Sequence, residues 1–424
     1  MKKEQFLSEV SRSIRSKEAC KLVEIELNNH LKQTKEALKK QGLNDEEAEQ
    51  KAVLMMGNPI HLGRKMDRLH RPKVDWKMIG LFLFIIVLGM VPIFVFESEH
   101  TAMAFIHKFI VTLIGIAFAT ILMFFDYRKL QKLGIGWFVI GWGIISFALI
   151  SGNRVNGSAT LVLGPVSTDI SITLPLFLIG WAGVFRNEKM KMYMVVILYL
   201  ITSYLIVLTP NLFVFGMFTI ITGVMLWGSH FAKRKIIWSY VISLVTVAVV
   251  PLYAWFTTGI KEYQLVRLLA FLNPEKYAES SGYHYVKMKE LRDGTGWFWQ
   301  SLPESGSLLP ESTTDFVFIS LSYTLGWTFA VVLGGTLVLL ILRMFYVVKT
   351  VRDGYGKILV IGALSLFAFQ VMFNLGMSFG VFPIMSVSLP FISYGNMQVL
   401  MNAGIIGLVL SVYRKKDLVR AMTL

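Results

Sequence analysis

The sequence predicts an all-α, polytopic membrane protein with about ten transmembrane helices preceded by a small cytoplasmic three-helix domain. Three observations carry that expectation. Of the 424 residues, 54% are hydrophobic and only 16% charged, and the mean hydropathy of +0.59 is too high for a soluble chain of this size. Apolar runs long enough to cross a bilayer recur from Trp76 to the C-terminus. The 42 Lys and Arg, against 27 Asp and Glu, lie largely in short loops between those runs, where they set topology instead of binding nucleic acid. The single Cys20 excludes an intramolecular disulfide and a cysteine metal cluster.

Residues 1–73 form the expected soluble part. The opening MKKEQFLSEVSRSIRSKE has no apolar core and reads as no cleaved signal peptide, so the first membrane helix is expected to direct insertion. From Ser16 the pattern is helical: Leu22, Ile25, Leu27, Leu31 and Leu38 recur at near-helical spacing, and Gly42 follows Gln41 as a left-handed cap. Asn44 starts a second helix, with Asp45, Glu46 and Glu47 at the positive end of its dipole, and Gly57 ends it. Asn58 and Pro59 open a third helix through Leu62, Met66 and Leu69. The stretch from SKEA to GNPIHLGRKM resembles the helical prefix domain found ahead of some bacterial permeases and membrane regulators, which implies protein contact or regulation; a stabilising cap is the plainer reading. His30, His61 and His70 lack zinc-site spacing.

Residues 74–424 form the membrane domain. Its helices are expected to begin near Trp76, Ala102, Gly134, Ile170, Met192, Asn211, Ile236, Phe316, Lys357 and Asn396. Basic residues mark alternate loops: Arg128, Lys129 and Lys132; Arg186, Lys189 and Lys191; Lys233, Arg234 and Lys235; Arg343, Lys349 and Arg352; Arg414, Lys415 and Lys416. The positive-inside bias places these loops and both termini in the cytoplasm. Loops at 151–169, 259–314 and 380–395 then face outward. The middle one is too long for a passive connection. In and beside it lie Tyr283, His284, Lys287, Lys289, Arg292, Asp293, Glu304, Glu311 and Asp315, among tryptophans that suit an interfacial belt.

Three strings then carry a resemblance: LLPESTTDFVF from Leu308, PFISYG from Pro390, and an upstream stretch with Arg267, an F-x-x-P turn and Gly282-Tyr283-His284. Their order and spacing resemble the SEDS family of FtsW, RodA and SpoVE proteins from about Trp76 onward. The resemblance implies a GT-C-like fold and a peptidoglycan glycosyltransferase of the bacterial inner membrane. Such an enzyme polymerises lipid II at the outer face beside a class B penicillin-binding protein, in elongation, division or sporulation.

The residues themselves suit that chemistry. Joining two lipid-linked disaccharides needs a base for the acceptor hydroxyl and cations for the departing pyrophosphate. Asp315 is the candidate base, at the border between a polar loop and an apolar helix; helix capping is its plainer role. Thr314 could take over that cap, and Glu311 and Thr314 of the same motif are also candidate substrate contacts. Arg267, Tyr283, Lys287 and Lys289 are candidate substrate contacts, though the lysines also suit membrane lipid headgroups. Ser393, Tyr394 and Gly395 open the last helix, where free amides could face an anion, or they simply shape its entry. Lys108, inside the second membrane helix, faces substrate or snorkels outward. No metal-ligand string is present, which leaves Mg²⁺ or Mn²⁺ open as a companion of the pyrophosphate.

Departures from the family pattern mark a divergent member. The usual NGARRW and QPSE strings are absent, leaving Arg154 before Asn156-Gly157 to supply charge and Asp169 to stand in for the QPSE glutamate. Ser322 to Gly326 replace GEELG, and Asn396 to Gln398 replace GSS. A lipid-linked precursor transporter and an inactive scaffold therefore stay open as alternatives.

Overall fold

The structure is a computed structural model that describes residues 2–96, 101–155, 158–163, 166–231, 269–300 and 309–417, with scattered positions between 233 and 266. It separates into two compact units. The first comprises residues 2–75, 350–353 and 412–417; the second holds the remaining described residues.

The first unit contains four helices, α1 (Lys3–Arg12), α2 (Lys17–Lys40), α3 (Asp45–Met55) and α4 (Pro59–His70). Three were expected. Phe6, Val10 and Ile14, spaced by one helical turn, are buried against Ala19, Val23, Leu27 and Leu31, and this apolar stripe makes α1 part of the core. The punctuation follows the sequence closely. Ser16 accepts from the Ala19 amide, Asn44 from Glu47, and Asn58 from Ile60 and His61. Gly42 and Gly57 take positive φ of 94° and 78° after their helices. Two apolar residues of these patterns stay outside the core: Ile25 is 60% exposed and Leu69 43%, while Val23 and His70 are buried. His70 is held by its Nδ1 contact with the Asp417 carbonyl at 3.2 Å, and Lys73 pairs with the Asp417 carboxylate at 2.9 Å.

Among the described residues, five helical spans are long and apolar enough to cross a bilayer, not the ten expected: Trp76–Val95, Met103–Phe124, Val317–Thr350, Gly354–Ser378 and Asn396–Lys415. Four more expected segments form shorter apolar helices: α9 (Gly136–Ser151), α10 (Leu174–Arg186), α11 (Met192–Val207) and α12 (Leu212–Trp227). Sixteen residues rise about 24 Å, short of a hydrocarbon core of about 30 Å. Polar breaks explain the shortening, since Gly152 leaves α9 in a left-handed cap and Asn211 caps α12. The segment expected from Ile236 lies largely outside the described residues.

The long spans are built from α5 (Trp76–Leu88) and α6 (Val91–Val95), α7 (Thr101–Phe124), α14 (Val317–Thr350), α15 (Gly354–Ser378) and α16 (Asn396–Lys415). Helix α8 (Arg128–Gln131) links α7 to α9, and α13 (Tyr283–Asp293) lies outside the spans. In the most apolar stretch of α16, 78% of the residues are buried, against 22% in that of α7, so α16 is central and α7 faces outward. They approach closely because Gly407 meets the Ala119 backbone, where a Cβ would stand 2.6 Å from its carbonyl. Around α10, Trp181 stacks on Phe185 and meets the edge of Phe138, while Phe177 contacts Phe218.

Two irregularities interrupt the helical pattern of this unit. Within the expected loop at 151–169, β1 (Arg154–Val155), β2 (Ser158–Leu163) and β3 (Val166–Asp169) form a three-stranded antiparallel sheet, an exception to the all-helical expectation among the described residues. The β-branched Thr160, Val162, Val166 and Thr168 suit extended backbone. Helix α14 breaks at Gly326, whose φ is 85°. There the Trp327 amide donates to Gly296 and the Gln300 amide to Thr324, and a side chain would strike the Trp297 backbone.

Candidate active site

The candidate site is assembled from two loops and two helices of the second unit. Residues 309–316 enter α14 as consecutive turns: the Ser312 amide donates to Leu309, and the Thr314 and Phe316 amides both donate to Glu311. Glu311 takes a positive φ of 62° to allow this. The second loop, residues 384–395, lies alongside. Tyr394 donates its amide to Thr313 at 2.8 Å, and the Ser393 hydroxyl donates to the Thr314 carbonyl at 2.6 Å. Asn374, buried within α15, donates through Nδ2 to the carbonyls of Asp315 at 2.9 Å and Val387 at 2.6 Å. One side chain thus ties both loops to a membrane helix.

Asp315 is 6% exposed. Its carboxylate accepts from Ser386 Oγ at 2.7 Å and interacts with Glu311. No bond from its side chain to the first turn of α14 occurs among the described residues, so the carboxylate is not engaged as a helix cap. Burial pushes its pKa up to about 7; the Ser386 hydroxyl pulls the other way, and Glu311 and Asp169 add upward pressure. A carboxylate whose proton affinity is raised in this way is suited to accept a proton in catalysis.

Asp169 ends β3 and accepts from the Ser171 amide at 2.7 Å. Burial raises its pKa as well. Its charge is felt at Asp315, so the carboxyl expected to stand in for a missing glutamate lies within electrostatic reach of the candidate base.

The remaining expected residues fall in several places. Lys108 is buried on α7, and its Nζ donates to the Ile392 carbonyl at 2.7 Å. Beside it, His107 Nδ1 lies 3.1 Å from the Tyr394 hydroxyl. Phe391, at a positive φ of 66°, comes so close to the turn after α5 that a Cβ on Gly89 would strike its carbonyl. Lysine, tyrosine and glycine together fix the segment that supports Thr313 and Thr314. Gly395 leads directly into α16, donating no side chain and accepting from the Val399 amide. Thr314 turns its hydroxyl to the Glu311 carbonyl.

On α13, Lys287 pairs with Glu290 at 3.0 Å, Lys289 with Glu275 at 3.1 Å, and Tyr283 is exposed. Arg154 is exposed on β1. No contact joins Lys287, Lys289, Tyr283 or Arg154 to Asp315 among the described residues, and Arg267 lies outside them. His284 stacks on Phe316, its Nδ1 buried without a partner among the described residues, and burial lowers its pKa. No group of three His, Cys, Asp or Glu is placed to hold a metal among those residues.

Ser386, Asn374 and His107 were not singled out from sequence. Asn374 had a signal, a polar amide within an apolar run of membrane-helix length. Ser386 had none, since a serine in MSVS carries no meaning until the loop is folded against Asp315.

Known proteins place this geometry in a family. The family model for FtsW, RodA and SpoVE, described as cell cycle protein, matches residues 73–418. A probable peptidoglycan glycosyltransferase FtsW of Trichlorobacter lovleyi is 31% identical over 35% of this chain and 40% of its own. The chain therefore spans less than half the length of that relative. A probable peptidoglycan glycosyltransferase FtsW of Coxiella burnetii is 31% identical over 62% of this chain and 72% of its own. Among solved structures, a chain from work on how polymerization and crosslinking are coordinated by a peptidoglycan synthase complex superposes with a TM-score of 0.68 at 23% identity. It covers 81% of this chain and 98% of its own. At that identity the likeness speaks for the fold alone.

Proposed function

Because the chain belongs to the FtsW, RodA and SpoVE family of cell cycle proteins, we propose that it is a peptidoglycan glycosyltransferase polymerising lipid II at the outer face of the bacterial cytoplasmic membrane. The observation that carries this reading is Asp315, buried, unengaged in capping and titrating at about 7. In its ionised form it takes the proton of the acceptor sugar's 4-hydroxyl. The alkoxide forming there attacks the anomeric carbon of the donor, and the bond to undecaprenyl pyrophosphate breaks. Ser386 orients the carboxylate, while Glu311 and Asp169 keep its proton affinity high. Arg267, Tyr283, Lys287, Lys289, Arg154 and the Gly395 entry to α16 are proposed to receive the substrates' sugars and phosphates. Any Mg²⁺ or Mn²⁺ would accompany the pyrophosphate.

The same reading extends to the architecture. On this reading the membrane domain makes about ten crossings, with both termini in the cytoplasm and α13 outside. Residues 1–73 act as a permease-prefix-like regulatory domain, and a class B penicillin-binding protein crosslinks the product. The test is polymerisation of lipid II by the purified full chain, alone and with its transpeptidase, comparing wild type with Asp315→Asn. Polymer from wild type only is expected. No polymer from either, with partner present and folding verified, would leave a transporter or a scaffold.

A further inference from the structure

Within the second unit, the turn after α8 and the connection from α10 to α11 enclose a cavity of about 620 Å³, lined by none of the residues around Asp315. Its size is that of a small-molecule site, which spans roughly 300–1,000 Å³. Lys132, Arg186 and Lys189 line it against one acid, Glu188. That acid is 77% exposed and reaches Arg186 only at 3.8 Å, so it neutralises little. Neither lysine has an ion-pair partner among the described residues. Asn187 accepts from the Lys189 amide at 3.0 Å and fixes the turn that carries this lysine.

Beside these cations, Leu133 and Ile135 also line the cavity while staying 51% and 46% exposed. Three cations next to uncovered aliphatic side chains suit an amphiphile with an anionic head better than a soluble anion. Both loops also belong to the set whose basic residues predict the cytoplasmic side, where anionic lipids generate a negative surface potential.

We propose that this cavity binds the phosphate of an anionic phospholipid headgroup, with Arg186 gripping its oxygens, Lys132 and Lys189 neutralising it, and the acyl chains leaving over Leu133 and Ile135. Bound there, the lipid joins the turn before α9 to the connection before α11, loops that no hydrogen bond between them holds together among the described residues.

The test uses the full chain in a neutral detergent, measuring the thermal unfolding midpoint and lipid retention by native mass spectrometry. The probes are phosphatidylglycerol, phosphatidylcholine and inorganic phosphate. Phosphatidylglycerol is expected to stabilise and be retained where phosphatidylcholine is not. The Lys132→Gln/Lys189→Gln double variant, altered at two exposed positions, should bind it about 30-fold more weakly, at roughly 1 kcal/mol for each basic residue facing an anionic lipid. Equal effects of the two lipids, or an unchanged phosphatidylglycerol effect in the double variant, would overturn the proposal. Inorganic phosphate reproducing the full shift would also overturn it, by making the ligand a soluble phosphate. None of these readouts depends on polymerase activity.

Discussion

In the four-helix unit the capping bonds join residues two or three apart, as between Asn44 and Glu47 or Asn58 and Ile60. Around Asp315 the corresponding bonds join residues 59, 71 and 79 apart. Local bonds form as soon as their helix does and stay close to water, so each contributes a modest, separable amount. Long-range bonds to buried groups form only when the whole membrane body is assembled, and they fix the proton affinity and position of one carboxylate. Substitutions in the first region should therefore lower local stability. In the second they should act on turnover.

The contrast is sharpest at Asp315 itself. Asp315→Asn should cut lipid II polymerisation by about 10²–10⁴-fold, the range of a lost general base. Wild-type turnover should rise as the pH passes through about 7, because the ionised carboxyl is the competent form. Stability should move the other way. The folded-state pKa lies above the reference of 3.8, so burial costs nothing below pH 3.8 and progressively more up to about pH 7. Removing the charge lifts that cost, so the asparagine variant should unfold at a higher temperature than wild type at pH 8 and lose the advantage near pH 4. Equal stability across that range would mean that the carboxylate is not held against its own ionisation.

Lys108 comes next, acting through Ile392 and the segment bonded to Thr313 and Thr314. Removing this donor leaves a buried carbonyl without a partner, which typically costs about 1–3 kcal/mol. Lys108→Met should lower kcat about tenfold or more while KM stays near the wild-type value, and Lys108→Gln, which still donates, should recover part of the loss. A rise in KM with kcat unchanged would instead make Lys108 a substrate contact.

These two regions also differ in how far the sequence reveals them. Gly42, Asn44, Gly57 and Asn58 can be placed because a cap depends on its immediate neighbours. Helix α1 escaped because a short amphipathic stretch without a cap signal becomes a core element only once Phe6 and Val10 meet α2. The sheet at 154–169 escaped because its strands are short and gain their partners only from one another. At the site, the TDF motif pointed to Asp315, yet nothing near it in sequence announces Ser386, 71 residues away, or the Lys108 contact with Ile392. Motif and composition locate the chemistry; the groups that tune it are supplied by loops that meet only in three dimensions.

On the local side, Asn44→Ala removes the bond to the Glu47 amide and should cost about 1 kcal/mol. Hydrogen exchange on the full chain should show faster exchange in α3 and the end of α2, with polymerisation unchanged. Loss of activity would show that the four-helix unit is energetically coupled to the membrane body.

The smallest effect belongs to Asp45, which meets Lys35 and Lys39 at 2.8 Å. Their hydrogen bonds hold its pKa at about 2, below the usual 3.8. Its contribution is therefore complete above pH 3.8 and lost as the pH falls through 2. Asp45 and Lys39 face water and Lys35 is partly exposed, so salt screens these pairs and the entropy of holding them offsets most of the attraction. Asp45→Asn should leave exchange in α2 and α3 unchanged at pH 7 and physiological salt, with a slight acceleration only at low ionic strength. A large, salt-insensitive loss would contradict the contrast between the two regions, because it would require Asp45 to support something beyond its own helix pair.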